Sequence, residues 1–289
     1  MLEIKYTIQK NVPPPISMDE YIDRSVEMYR RMLENEGLEE HAFQHFFEEN
    51  PAFIPGAFEL MGHSGHDPYL GSLISQPRIG KSLRRFPDFL WLANDSLSFC
   101  PVFIEIERPS KTQFRENDVP YAKFNQAMDQ IIEWKALLDD NSNRLFFFDS
   151  FAIPERLREM VFAPQYLLIY GRSTEYETIS FRRSKRFHMQ KEDIKIKSFD
   201  SLWPSRDNYS LVTSVVHNGI YNVRNIPPTF VYEPIRAKNL HLLHGFKDQI
   251  KHMKMISEER RRFLLKRYDY WEEFGKQRDQ GLFRPSDKE

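Results

Sequence analysis

The sequence predicts an α/β protein: a mixed central sheet flanked by helices, with extensions at both ends. Three observations predict it. Helical spacing of apolar residues recurs at 19–35, 39–49 and 120–138. Apolar runs of strand length fall at 85–93, 97–107 and 166–170. The two kinds of element follow one another as helix, strand, strand, strand, helix, strand, an order that packs helices on a layered sheet.

Residues 2–9 alternate polar and apolar as a short strand does, and Pro13-Pro14-Pro15 then breaks the chain. Tyr21, Ile22, Val26, Tyr29 and Leu33 mark the apolar face of a helix closed by Gly37. Phe43, Phe46 and Phe47 share one side of a second helix, which Asn50-Pro51 stops. Residues 52–61 read as a short strand or extended segment, and the Gly, His and Ser content of 62–80 reads as a long loop. Two strands, 85–93 and 97–107, are joined by the turn Asn94-Asp95-Ser96, with Pro101 interrupting the second. Phe124, Ala127, Ile131, Trp134 and Leu138 then line a helix. Tyr166 to Tyr170 is a buried-type strand ended by Gly171, and Ile194-Lys195-Ile196 is another. Residues 209–233 read as strand-rich with a break at Pro227-Pro228, residues 236–275 as charged helix, and the last dozen as a disordered tail.

Composition narrows the class. A chain of 289 residues, 40% hydrophobic and 29% charged, is built like a water-soluble globular protein. Aromatic residues reach 14%, which supplies core packing area and, secondarily, surfaces for base stacking. A net charge of -1 gives no overall attraction to nucleic acid, so such binding needs a local patch. Cys100 is the single cysteine, which excludes an internal disulfide framework and a cysteine-rich zinc site and fits a reducing, cytoplasmic setting. No apolar run has the length of a membrane span, so no membrane partner is expected. Gly-x-Ser-x-Gly, Walker-type and Gly-x-Gly-x-x-Gly elements are absent, which leaves serine hydrolase, ATP-dependent and dinucleotide chemistry unsupported.

The informative stretch is Pro87-Asp88-Phe89 followed by Phe103-Ile104-Glu105-Ile106-Glu107-Arg108-Pro109. Residues two apart on a strand share a face, so Glu105 and Glu107 project together from a segment apolar enough to be buried. Buried carboxylates need a cation, and Mg2+ takes carboxylates, carbonyls and water. Asp88 on the partner strand, with the Ile106 carbonyl, completes an oxygen-rich set. The arrangement points to metal-dependent phosphodiester chemistry. Lys123, Gln126 and Gln130 follow on one helical stripe, a cation and two amides suited to orienting a phosphate or a water. Each piece alone is commonplace: a Glu-x-Glu at a strand end is ordinarily a solvated edge, and the stripe an exposed helix face. Their order makes the case.

That order resembles the PD-(D/E)XK nuclease superfamily, whose core is built αβββαβ. Pro87-Asp88-Phe89-Leu90-Trp91, the Glu-x-Glu segment, Ala127-Met128-Asp129-Gln130 with Trp134, residues 164–172 and Phe199-Asp200-Ser201-Leu202 are similar to the nuclease domain of Shedu-type anti-phage defence proteins. The resemblance covers about residues 38–205. It implies a nuclease-like domain there, an N-terminal extension at 1–37 and a C-terminal extension at 206–289. It also implies a Mg2+- or Mn2+-dependent DNA endonuclease acting on phage or other foreign DNA, as a homo-oligomer. Asp88, Glu105 and Glu107 would hold the metal, and Gln130 and Lys123 would assist. Glu48 or Glu40 would correspond to the acid some members add. The motif's usual lysine is replaced by Glu107, and Lys111 and Lys123 are the nearby cations that could substitute. A catalytically silent nucleic-acid-binding or sensing module of the same fold is the alternative that this replacement raises.

Two further stretches carry clustered charge or histidine. Residues 172–197 hold eight Lys and Arg against four acids, interleaved with Phe181, Phe187 and His188. They would either track a phosphate backbone or form a solvated loop or hairpin. His63-Ser64-Gly65-His66-Asp67 has the residues of a metal site without a further ligand set, and reads as a flexible loop.

Overall fold

The computed structural model describes residues 4–35, 37–58, 60, 66–80 and 86–289. Two helices open the fold, α1 (Met18–Glu34) and α2 (Glu40–Glu49). Ser17 starts α1 by accepting the Glu20 amide on its hydroxyl at 3.1 Å, and Asp19 and Glu20 favour the positive end of its dipole. Three antiparallel strands follow: β1 (Ser72–Ser75), β2 (Phe89–Asn94) and β3 (Ser98–Ile106). Asp95 accepts the amides of Leu97 and Ser98 at 2.7 and 2.6 Å, which closes the hairpin between β2 and β3.

The chain continues through α3 (Ala122–Asp139), α4 (Asn141–Ser150) and α5 (Glu155–Arg158) to β4 (Val161–Phe162) and β5 (Gln165–Ile169). Then come α6 (Thr174–Glu177), α7 (Ser180–Met189) and β6 (Ile194–Lys197). Pro101 sits where β3's outer edge changes partner, from β4 at Ser98 and Phe99 to β5 at Val102 onward. A residue without an N–H is least disruptive at such a break.

After residue 205 come β7 (Val212–His217), β8 (Ile220–Asn225), α8 (Pro234–Ala237), β9 (Leu243–His244), α9 (Phe246–His252) and α10 (Glu258–Lys276). β7 pairs in parallel with β1, so this region extends the same sheet. Among the described residues nine strands form one sheet, ordered β6-β5-β3-β2-β1-β7-β8-β9, with β4 beside β3.

Both faces of the sheet are covered, which explains why the central strands read as unbroken apolar runs. On one face Phe103, Tyr166 and Leu168 pack with Ile131 and Trp134 of α3, in a core that extends to Trp271 of α10. On the other, Phe89, Trp91, Ile104 and Ile106 meet Tyr29 of α1 and Phe43, Phe46 and Phe47 of α2. No helix among the described residues is long and apolar enough to cross a membrane.

Several expectations are corrected. Residues 52–61, expected to be extended, begin with a 3-10 turn at Pro51–Phe53, because Pro51, Pro55 and Gly56 favour turning. Gly56 has φ 113°, and a Cβ there would lie 2.8 Å from Val102 Cγ1. The first core strand instead lies inside the expected loop at 62–80. Its Ser72 and Ser75 disguise it, since their hydroxyls find distant partners, Ser214 at 2.8 Å and Glu48. Residues 63–65 of the His-rich stretch are outside the described residues, while Asp67 pairs with Arg236 at 2.8 Å.

The basic segment holds α6, α7 and β6, not a loop or hairpin, and Arg172, Arg182 and Arg186 are engaged by Asp200, Asp118 and Gln113. The charged helix of 236–275 is divided into α8, α9 and α10 around β9. Finally, the expected disordered tail packs. Glu289 exchanges two backbone hydrogen bonds with Tyr232, at 2.8 and 2.9 Å, and pairs with Arg267.

Candidate functional site

The register of β2 against β3 builds the site. Phe89 faces Ile104, so one step further brings Asp88 opposite Glu105, on the Phe103 side of the sheet. Backbone bonds fix Asp88 at this junction: its N–H donates to the Ile104 carbonyl at 3.0 Å, and its carbonyl accepts from Gln76 at 2.8 Å. Its side chain accepts the Ile106 amide at 2.7 Å. The two carboxyls are close enough to shift each other's pKa.

Burial dominates their chemistry. It raises Asp88 from the usual carboxylate range to about 7, against the lowering effect of the Ile106 N–H, with Glu40 adding a raising contribution. Glu105, only 8% exposed, is raised well above its ordinary value by burial and then by the charges of Asp88 and Glu40. The amide of Gln130, 7% exposed on α3, opposes that rise. Glu105 Oε2 remains buried without a hydrogen-bond partner. A pair that resists ionisation and holds an orphaned oxygen has unmet demand for positive charge.

Glu107 lies just past the end of β3, its N–H bonded to the Ile169 carbonyl at 3.0 Å. Its carboxylate is engaged by Lys111, whose ammonium also lies 3.9 Å from Glu40. Burial lowers the Lys111 pKa, while the nearby charges of Glu40 and Glu105 oppose that effect. Lys111 is thus the cation held among the acids. Lys123 is exposed on α3 and close enough to repel the charge on Lys111. Gln126 is exposed as well, so of the three stripe residues Gln130 alone is buried.

Of the two helix acids, Glu40 at the start of α2 acts on Asp88, Glu105 and Lys111. Glu48 accepts from Ser75 and lines a groove of about 470 Å³ with Ser75, Gln76, Arg224 and His252. Sequence reasoning missed Gln44, whose amide donates to Ser75 Oγ at 3.1 Å and to the Asp88 carbonyl at 3.3 Å. Its available signal was its place one turn from Glu40 on a Phe-rich helix.

The donor set fits a hard divalent cation. Among the described residues no three His, Cys, Asp or Glu side chains form a ready-made cage. Mg2+, however, is commonly held by one or two carboxylates and keeps several waters. Asp88 and Glu105 supply two carboxylates of that kind, and Glu105 Oε2 is buried without a hydrogen-bond partner.

No curated protein matches the chain. Residues 37–203 match the family model described as Shedu protein SduA, C-terminal. That span exceeds half of the 289 residues and contains Glu40, Asp88, Glu105, Glu107, Lys111 and Gln130, so the chain belongs to the Shedu family.

Proposed function

We propose that this protein is a Mg2+-dependent DNA endonuclease of PD-(D/E)XK type, with Mn2+ as a substitute, acting in anti-phage defence. The observation that carries the reading is the buried Asp88–Glu105 pair beside Lys111 and Gln130. The order α2, β1, β2, β3, α3, β5, with β5 parallel to β3, supports the αβββαβ core. The defence role rests on family membership, since a fold does not specify a biological task.

Asp88 and Glu105, with the Ile106 carbonyl, would hold the ion. When bound, it neutralises phosphate charge and lowers the pKa of a water. Gln130 fixes the Glu105 carboxylate. Lys111 presents its ammonium to the phosphate, in place of a lysine at position 107, and Glu107 and Glu40 hold it there. Lys123 adds a cation on the open side, and the groove beyond Ser75 gives a flanking strand a path. DNA would be the substrate and the working form a homo-oligomer in the cytoplasm.

Cleavage of plasmid and linear DNA with Mg2+ or Mn2+, wild type against Asp88→Ala, tests the reading. Metal-dependent cutting lost in the variant is expected. Equal inertness of both proteins would refute it as a constitutive nuclease. The engagement of Lys111 by Glu107 favours one second reading, a silent DNA-binding module, which predicts salt-sensitive binding without cutting. Mass measurement in solution checks the oligomer.

A further inference from the structure

We infer that Gln44 is a positioning residue for the metal site, holding the Asp88 peptide and lending its amide oxygen as a neutral acceptor beside the acid pair. The inference rests on the proposed metal-dependent reading and extends it to a residue outside the Asp/Glu set.

Three observations carry it. First, α2 is otherwise anchored by Phe43, Phe46 and Phe47, yet Glu40, Gln44 and Glu48 recur every four residues. That spacing stacks them along one side of the helix. Glu40 acts on Asp88 and Glu105, Gln44 touches Asp88 and Ser75, and Glu48 takes the Ser75 hydroxyl. A polar row therefore runs over the strand ends from the acid pair to the groove.

Second, the orientation of the Gln44 amide is forced. The Asp88 carbonyl can only accept, so the group 3.3 Å from it is the NH2. Ser75 donates its proton to Glu48, so its oxygen is free to accept from the same NH2. The amide oxygen is then the atom left over. It is buried without a hydrogen-bond partner, on a residue 8% exposed.

Third, Glu105 Oε2 and Glu107 Oε2 of this cluster are also buried without a hydrogen-bond partner, and only the second is ion-paired, with Lys111. Native interiors pair nearly all buried acceptors, and such exceptions concentrate where an ion or water belongs. Bare acceptors on Gln44, which holds the Asp88 carbonyl, and on Glu105, which the register sets opposite Asp88, suit a hydrated divalent ion better than an apolar filler. Groups that orient first ligands in this way commonly alter metal affinity 10- to 100-fold.

Calorimetric titration of Mn2+ into the full-length protein without DNA is the test, backed by the Mn2+-induced rise in melting temperature. Gln44→Met keeps the length of the side chain and removes its polar atoms. It should weaken Mn2+ about tenfold with an unchanged metal-free circular dichroism spectrum. Gln44→Glu keeps an acceptor oxygen but loses the NH2 that holds the Asp88 carbonyl, so it should bind Mn2+ more weakly than wild type but by less than tenfold, which decides the matter if the Met variant does not fold. Wild-type affinity in a folded Gln44→Met, or a tenfold loss in Gln44→Glu, would overturn the inference. Asp88→Asn separates the two failures. If Asp88→Asn binds Mn2+ as well as wild type, the site itself is misplaced and the inference falls with it. If Asp88→Asn loses Mn2+ while Gln44→Met keeps it, only the role of Gln44 is refuted.

Discussion

Asp88 and Glu105 make the metal-free protein sensitive to pH in an unusual direction. Asp88 keeps its proton to about 7 in the folded state, whereas the unfolded chain releases it near the ordinary value of 3.8. Between those values the folded state binds more protons, so stability is full below the lower value and declines as pH rises toward the upper. Asp88→Asn should flatten that decline and stabilise the metal-free protein at pH 8 by about 1–3 kcal/mol. Denaturant unfolding across pH 4 to 8 checks it, and parallel profiles for the two proteins would refute it. Metal affinity should rise over the same interval, because ligands must lose their protons to bind. Lys111 is the second decisive side chain. Lys111→Met should lower the cleavage rate about 10²- to 10³-fold, the usual cost of losing one stabilising group. Lys123→Ala, at an exposed position, should cost less. A larger loss at Lys123 in single-turnover assays would reassign the cation.

Helices and strands place those side chains, and their junctions are the sensitive points. Gly171 follows β5 with φ 65°, and a Cβ there would lie 2.6 Å from the Lys111 carbonyl oxygen. The left-handed conformation and the close approach both require glycine. Gly171→Ala should therefore displace the segment carrying Lys111, destabilise the fold by about 1–3 kcal/mol and reduce cleavage more than stability explains. Thermal melts and turnover measured together check this; normal turnover in the folded variant would count against it. Trp134 of α3 is fully buried against the sheet on the Glu105 side. Trp134→Ala should cost about 3–5 kcal/mol, and a loss below 1 kcal/mol in urea unfolding would contradict the packing described.

Across the molecule, one sheet takes strands from both sides of residue 205, since β7 pairs with β1, and residues distant in sequence tie the last helix to both ends of the chain. Arg267 of α10 pairs with Glu289 and donates to the Thr7 carbonyl at 2.8 Å, while the Gln9 amide donates to Glu289 at 2.7 Å. Removing one member of such a pair leaves a buried charge unpartnered. Arg267→Ala should thus cost about 3–5 kcal/mol in urea unfolding. A change under 1 kcal/mol would show that the closure is dispensable.

What could be read along the chain was whatever depends on neighbours in sequence. The Tyr21-to-Leu33 and Phe124-to-Leu138 stripes, the apolar runs of β2, β3 and β5, and the hairpin at Asp95 all follow from local periodicity and turn chemistry. The same logic singled out Asp88, Glu105, Glu107 and the stripe Lys123, Gln126 and Gln130, of which Lys123 and Gln126 are exposed. Contacts between distant residues were invisible to it. Ser72–Ser75 becomes a strand because Val212–Ser214 and Phe89–Trp91 pair with it, not because its composition favours one. Lys111 and Glu40 join Asp88 only once α2 and the segment after β3 fold over the strand ends. The 277–289 segment is ordered by Tyr232 and Arg267, which no local pattern announces. Propensity and periodicity act over a few residues, whereas strand pairing and charge pairing act through space, and the site is built by the second kind.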